Sequence, residues 1–259
     1  METYTDFASV YDLLMDETPY KMWCENIVQE LRAHQINDGL VLELGCGTGS
    51  MTELLAAEGY DMIGVDNADE MLLAASEKRE QSGHDILYLN QDMRTFELYG
   101  TVRAVVSVCD SLNYLLDNED ILACFRLVWN YLDPEGIFVF DFNTQYKYEM
   151  VIGDSVIAEN REDCSFIWEN YYDSESCINE YDLTVFVKDP QASARGQELF
   201  TRFQEVHLQR GYTLEEMISL IERSGLIYLK SYDADTMGEA TDKSERIYCV
   251  AKKTALNNK

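Results

Sequence analysis

LVLELGCGTGSM, residues 40–51, is an apolar run with one acid inside it, followed by three glycines at alternate positions. LVLEL (40–44) reads as a buried strand, and the glycines after it mark a turn where the backbone can come close to a ligand. SMTELLAAEG (50–59) then reads as a helix ending at Gly59. Working outward, the chain keeps this alternation. A strand at 61–65 ends at Asp66, and a helix over 68–80 turns Met71, Leu72 and Ala75 inward. ILYL (86–89) leads to Asp92, and RAVVSV (103–108) leads to Asp110. A helix over 118–131 stops before the DPEG turn at 133–136, and IFVFD (137–141) follows. Upstream, PYKMWCENIVQELRA (19–33) sets Trp23, Ile27 and Leu31 at helical spacing. Apolar strands alternating with helices predict a parallel doubly wound α/β sheet with its chemistry at the carboxyl ends of the strands. Asp66, Asp92, Asp110 and Asp141 all fall at such ends.

The rhythm changes after about residue 148. Runs at 164–173, 177–189 and 197–210 are strand-like, and the turns DSES and DPQASARG between them predict a three-stranded antiparallel meander. YTLEEMISLIERSG returns to helix, with Thr213 as N-cap and Gly225 after its end, and strands at 226–232 and 246–253 follow. The expected organisation is one α/β domain from 1–148 and 211–259, interrupted at 149–210 by an antiparallel insertion serving as a lid or a dimer face.

Composition narrows the partners. Lys+Arg number 20 against 48 Asp+Glu in 259 residues, a net charge of −28. Such a chain repels phosphate backbones and anionic lipid, so nucleic acid is an unlikely partner on electrostatic grounds. No stretch approaches a membrane span; RAVVSVCDSLNYLL (103–116) contains both Arg103 and Asp110. METYTDFASVYDLL lacks the basic start of a signal peptide. Seven scattered cysteines without a CxxC, and three histidines, give no zinc spacing and fit a reducing cytoplasm.

Dinucleotide sites use G-x-G-x-x-G, but here the third glycine comes one residue early and Ser50 holds the dinucleotide position. Glu43, two residues before Gly45, suits a cationic ligand group better than a pyrophosphate. Asp66 ends the second strand, where a carboxylate can accept from both hydroxyls of a ribose.

Strand, E-L-G-x-G-x-G, helix, strand and Asp resemble the class I S-adenosylmethionine-dependent methyltransferases, over about residues 40–145 and, by pattern, the final 50 or so. The resemblance implies a Rossmann-like seven-stranded sheet and S-adenosylmethionine as cofactor. It implies that Gly45, Cys46, Gly47 and Gly49 form the loop under the methionine part, with Glu43 holding the loop near the ammonium. Asp66 and Asn67 would serve the ribose, Asp92 and Met93 the adenine, and Met71 would join the pocket. Cys109 and Asp110 would lie beside the methionine, with Asn113 and Tyr114 facing the acceptor.

A narrower likeness, in the N-terminal Y-x(6)-YDLLM segment and the β insertion, is to small-molecule N-methyltransferases of the sugar-amine and glycine types. A widespread bacterial group of S-adenosylmethionine-dependent methyltransferases shares it. In the N-methyltransferases an N-terminal tyrosine closes over the sulfonium, which nominates Tyr4 and Tyr11. The sugar-type enzymes have a histidine where this chain has Tyr114, so base assistance there is not carried over. His207 is a second candidate: strand alternation sets Glu205, His207 and Gln209 on one face. A purely structural histidine on an insertion strand is the competing reading. Tyr171 and Tyr172, beside Trp168, are candidates for lining the lid, although alternating aromatics also serve plain sheet packing.

The expected function is methyl transfer to nitrogen or oxygen of a small molecule. A tRNA or protein methyltransferase and a non-catalytic S-adenosylmethionine-binding regulator are the alternatives; Ser50 and Glu43 argue against a dinucleotide oxidoreductase.

Overall fold

The computed structural model describes residues 8–189 and 198–254. Two short N-terminal helices, α1 (Ala8–Leu14) and α2 (Tyr20–Ala33), precede the alternating part. It comprises β1 (Gly39–Leu44), α3 (Ser50–Ala57), β2 (Tyr60–Asp66), α4 (Asp69–Ser82), β3 (Ile86–Asn90), β4 (Val102–Ser107), α5 (Asn118–Tyr131) and β5 (Leu132–Asn143). After a second sheet come α6 (Leu214–Ser224), β10 (Ile227–Asp233) and β11 (Arg246–Lys252). The seven-stranded sheet has the order β10-β11-β5-β4-β1-β2-β3, with α3 and α4 following β1 and β2 as crossover helices. Strand order reverses between β1 and β4, so a crevice opens at their carboxyl ends.

The expected parallel sheet holds through β5 and fails at one edge. β11 lies between β5 and β10 and runs antiparallel to both. A loop without a crossover helix joins β10 to β11, and such a connection returns the chain antiparallel.

Alternation along the central strands divides the core. Leu42, Leu44, Phe138, Phe140 and Phe142 face one side with Phe125 of α5 and Ile221 of α6. Val41, Val106 and Val139 face the other with Trp23, Ile27, Met51 and Leu55. The phenylalanines are fully buried, each contributing roughly 1.5–3 kcal/mol through burial.

The second sheet has four strands, β6 (Val156–Asn160), β7 (Cys164–Asp173), β8 (Ile178–Lys188) and β9 (Phe200–Arg210), all antiparallel in chain order. The extra strand β6 is exposed along its whole length, so VIAEN carries no inward–outward alternation for a sequence reading to detect. On β9, Glu205, His207 and Gln209 are buried while Val206 and Leu208 are exposed, which sets the histidine face inward. Tyr171 points to solvent rather than into a lid. Val10 of α1 packs on Leu183 and Val185 of β8, joining the N-terminal segment to this sheet.

Candidate active site

The crevice between β1 and β4 is a cleft of about 270 Å³ whose walls include Glu43, Gly47, Asp66, Met93, Cys109 and Tyr114. Its floor is the glycine turn. Gly45 and Cys46 donate their N–H groups to the Val65 carbonyl at 2.8 and 3.0 Å, prolonging the β1–β2 ladder into the loop. Gly45, Gly47 and Gly49 all have positive φ, of 69°, 52° and 75°, but for different neighbours. A Cβ on Gly45 would stand 2.5 Å from the Ser111 side chain, and one on Gly49 would stand 2.4 Å from Tyr88 Oη. A Cβ on Gly47 would meet nothing within 4 Å. Gly47 alone of the three thus leaves room for something other than protein. Gly49, the residue before α3, closes the loop against Tyr88 and Ala75.

Glu43 sits beneath this turn, 2% exposed, and accepts a hydrogen bond from the Thr52 hydroxyl of α3. Burial pushes its carboxyl up to about 8, so the group favours its neutral form unless a cation adjoins it. Asp66, at the end of β2, accepts from Gly47 N at 2.8 Å and from Ala68 N at 2.9 Å, one bond to each oxygen. A carboxylate has about four lone-pair positions, so roughly two remain for a ligand. Burial raises this carboxyl, while the two backbone donors and Asn67 N–H oppose the rise. Asp92 is gripped by Arg94, whose Nη2 lies 2.6 Å away and whose other end holds Asp120 at 2.9 Å. That guanidinium holds the Asp92 carboxyl below the usual range. Asn67, Met71, Met93 and Cys46 also line the cleft.

After β4 two consecutive non-glycine residues, Cys109 and Asp110, take φ of 61° and 52°. This costly conformation is held by buried Asp141, which accepts both N–H groups at 3.1 and 2.8 Å. Arg246 of β11 closes the cluster, bonding Asp141 at 3.0 Å and Asp110 at 2.5 Å. The Asp110 carboxylate also accepts from Gln209 of β9 at 2.7 Å, so it turns away from the cleft wall instead of lying along it. Asn113 is likewise structural. It donates to the carbonyls of Asn143 and Arg210 and accepts from Asn143 N–H, and it is fully buried.

Tyr114 reaches the cleft and carries its phenol to the insertion sheet. Its oxygen lies 2.8 Å from Tyr181 Oη and 3.2 Å from His207 Nδ1. His207 is 1% exposed and is not part of the cleft wall, and Tyr114 links it to that wall.

Comparisons with known proteins decide what this cleft belongs to. A family model described as a methyltransferase domain matches residues 41–136. YqeM of Bacillus subtilis (strain 168), which carries a methyltransferase name, is 37% identical over 253 residues, covering 97% of each chain. The chain belongs to the S-adenosylmethionine-dependent methyltransferases. A solved S-adenosylmethionine-dependent methyltransferase from Clostridium acetobutylicum ATCC 824 superposes with a TM-score of 0.86 at 27% identity, covering 98% of this chain and all of that one. A Streptomyces venezuelae enzyme named dTDP-3-amino-3,4,6-trideoxy-alpha-D-glucopyranose N,N-dimethyltransferase is 30% identical over 136 residues, 52% of this chain and 56% of its own.

The methyltransferase cleft fits S-adenosylmethionine on its own geometry. Gly47 leaves the cradle a side chain would fill, Asp66 has spare acceptors, and a buried acid lies under the loop. Tyr11 and Tyr20 crowd the end near Cys109, their phenols 3.8 and 3.9 Å from its sulfur. Burial pushes the Cys109 thiol up to about 12, so it remains a neutral packing group and not a nucleophile. Tyr20 was not legible as a cleft residue; an aromatic in the first turn of an apolar helix looks like packing. Tyr4 lies outside the described residues. Among the described residues no helix of the methyltransferase is long and apolar enough to cross a membrane.

Proposed function

We propose that this methyltransferase acts on a nitrogen or oxygen atom of a small molecule held between the cleft and the insertion sheet. The observation that carries the reading is the set of three tyrosines on the cleft wall, Tyr11 and Tyr20 beside Cys109, and Tyr114, whose phenol meets Tyr181 of β8. Such a rim suits a compact acceptor with an apolar body and one polar handle. The similarity to an aminosugar N,N-dimethyltransferase supports a small acceptor, and a net charge of −28 disfavours RNA.

S-Adenosylmethionine supplies an electrophilic methyl group on a sulfonium. In this reading Gly45, Cys46 and Gly47 run beneath its methionine part, and Glu43 answers the ammonium. Asp66 and Asn67 take the ribose hydroxyls, and Asp92, Met93 and Met71 border the adenine. Tyr11 and Tyr20 present phenols to the sulfonium end. The protein's work is mainly to align the acceptor atom with the methyl carbon and to exclude water.

Calorimetry with S-adenosylmethionine, S-adenosylhomocysteine and NADH tests the cofactor roles: the two sulfur compounds should bind and NADH should not. Release of S-adenosylhomocysteine with amines and phenols, but not with tRNA, would support the acceptor class. Turnover on tRNA alone would overturn it.

A further inference from the structure

A line of side chains leads out of the cleft into the insertion sheet. Tyr114, on the short 3-10 turn Ser111–Tyr114, forms part of the cleft wall. Its phenol oxygen is 3.2 Å from His207 Nδ1, and the other imidazole nitrogen, Nε2, is 3.3 Å from Glu205 Oε2. Glu205 is 7% exposed. The ring is clamped, with Tyr181 stacked on it at 4.9 Å and Tyr114 edge-on at 6.0 Å. Trp168 backs Tyr181 at 4.8 Å. Gln209, the next residue on the same face, is engaged by Asp110 and by the Tyr148 hydroxyl. Among the described residues, the ionisable groups in contact with the imidazole include Glu205 from its own strand, Tyr181 from β8 and Tyr114 from the 3-10 turn.

The geometry points to a proton relay, Tyr114 to His207 to Glu205, that takes a proton from the methyl acceptor. Glu205 is an ion-pair neighbour of Nε2 rather than an aligned hydrogen-bond acceptor, so it is the negative charge of the carboxylate that favours the neutral imidazole with its proton on Nε2. Nδ1 is then a bare acceptor aimed at Tyr114. With Nδ1 accepting from Tyr114, the Tyr114 oxygen is left to accept from the Tyr181 hydroxyl 2.8 Å away, and the relay requires that direction. Resting on the methyl-transfer reading above, the step balances as follows. The acceptor's N–H or O–H bond breaks as its electron pair bonds the methyl carbon, and the sulfur–carbon pair leaves on the thioether. The released proton passes to Tyr114 Oη while the phenol's own proton passes to His207 Nδ1, and Glu205 stabilises the imidazolium. Tyr114 is the catalytic residue; His207 and Glu205 act through it. The acceptor class follows: its nucleophilic atom arrives carrying a proton, as an ammonium or a hydroxyl, and not as a tertiary amine or a thioether.

NMR on the full chain, labelled at histidine and tyrosine, tests this without cofactor or acceptor, so its outcome is independent of S-adenosylhomocysteine binding measured by calorimetry. Only three histidines are present, and His207→Gln and Tyr114→Phe identify the two signals. The neutral His207 ring should carry its proton on Nε2. On acidification Nδ1 should gain a proton, and the Tyr114 Cζ signal should shift at the same midpoint. Glu205→Gln removes the negative charge beside Nε2 and should reduce the tautomer bias toward that nitrogen. A neutral ring protonated on Nδ1 overturns the relay. So does a Tyr114 signal that stays still while His207 titrates, or an imidazole that never takes a second proton before the fold is lost.

Discussion

The two sheets meet the cleft in opposite ways. The seven-stranded sheet presents mostly backbone and short acids: the Gly47 cradle, the Asp66 carboxylate bound by two N–H groups, and the Cys109–Asp110 turn clasped by Asp141. The four-stranded sheet stands behind the wall, with the large side chains Tyr181 and His207 reaching Tyr114. On the proposed reading, backbone geometry would recognise what every cofactor molecule has in common, whereas side chains on the second sheet would vary with the acceptor. The comparison would then separate a part of the molecule that is prescribed from one that is free to specialise.

The largest expected effect lies where the sheets are tied together. Arg246 of β11 neutralises Asp110 and Asp141, and Asp110 in turn holds Gln209 of β9. Arg246→Ala leaves a fully buried carboxylate without its counter-charge and should cost about 3–5 kcal/mol in urea unfolding. A loss under about 1 kcal/mol would mean that the two sheets are held by apolar contact alone.

A second test separates the sheets by pH. Burial raises the Glu43 carboxyl from 4.5 to about 8, so the fold favours its protonated form. The stability that accompanies this proton is present below about 4.5 and is lost as pH rises through about 8. Glu43→Gln keeps the shape and cannot ionise, so the variant should gain on the wild type across that window, by an amount on the order of 1 kcal/mol or more. S-Adenosylhomocysteine, which brings an ammonium, should flatten the wild-type slope. A wild-type and variant pair with parallel pH curves would show that Glu43 ionises freely.

How much of this was written in the sequence follows the same division. Parallel strands covered on both faces are long apolar runs, so β1 to β5 and the acids at their ends stood out. Which of those acids face the cleft did not. Asp110 and Asp141 are claimed by Arg246, a partner more than a hundred residues away that becomes adjacent only because β11 runs back beside β5. Asn113 is consumed by two carbonyls, one 30 and one 97 residues further along the chain. The same reason hid the surroundings of β9: alternation grouped Glu205 with His207, but only the fold brings the pair behind Tyr114.

Within the cofactor half the glycines and Asp66 sharpen the comparison further. Gly47→Ala places a methyl group in the open cleft at φ 52° and should weaken S-adenosylhomocysteine binding about tenfold or more. Asp66→Ala should cost more than about 1 kcal/mol of affinity through lost hydroxyl contacts, read by calorimetry. Unchanged binding in either variant would move the ligand off the β1–β2 end of the cleft.

The smallest effect is expected at the strap that joins the halves. On one side Asp12 of α1 accepts from Thr48 at 2.7 Å and pairs with Lys78 at 2.6 Å, close to the glycine loop. On the other, Arg161 bonds the Leu13 carbonyl and pairs with Asp16, while Val10 is buried against Leu183 and Val185. The Arg161 contacts are solvent-facing and screened by salt, so Arg161→Ala should leave S-adenosylhomocysteine affinity within about twofold of wild type. Val10→Ala removes packing that salt cannot screen, and should loosen α1 enough to expose it to protease before the rest of the chain. If the arginine variant is the one that opens α1, the strap is closed by charge, and its closure should then weaken as ionic strength rises.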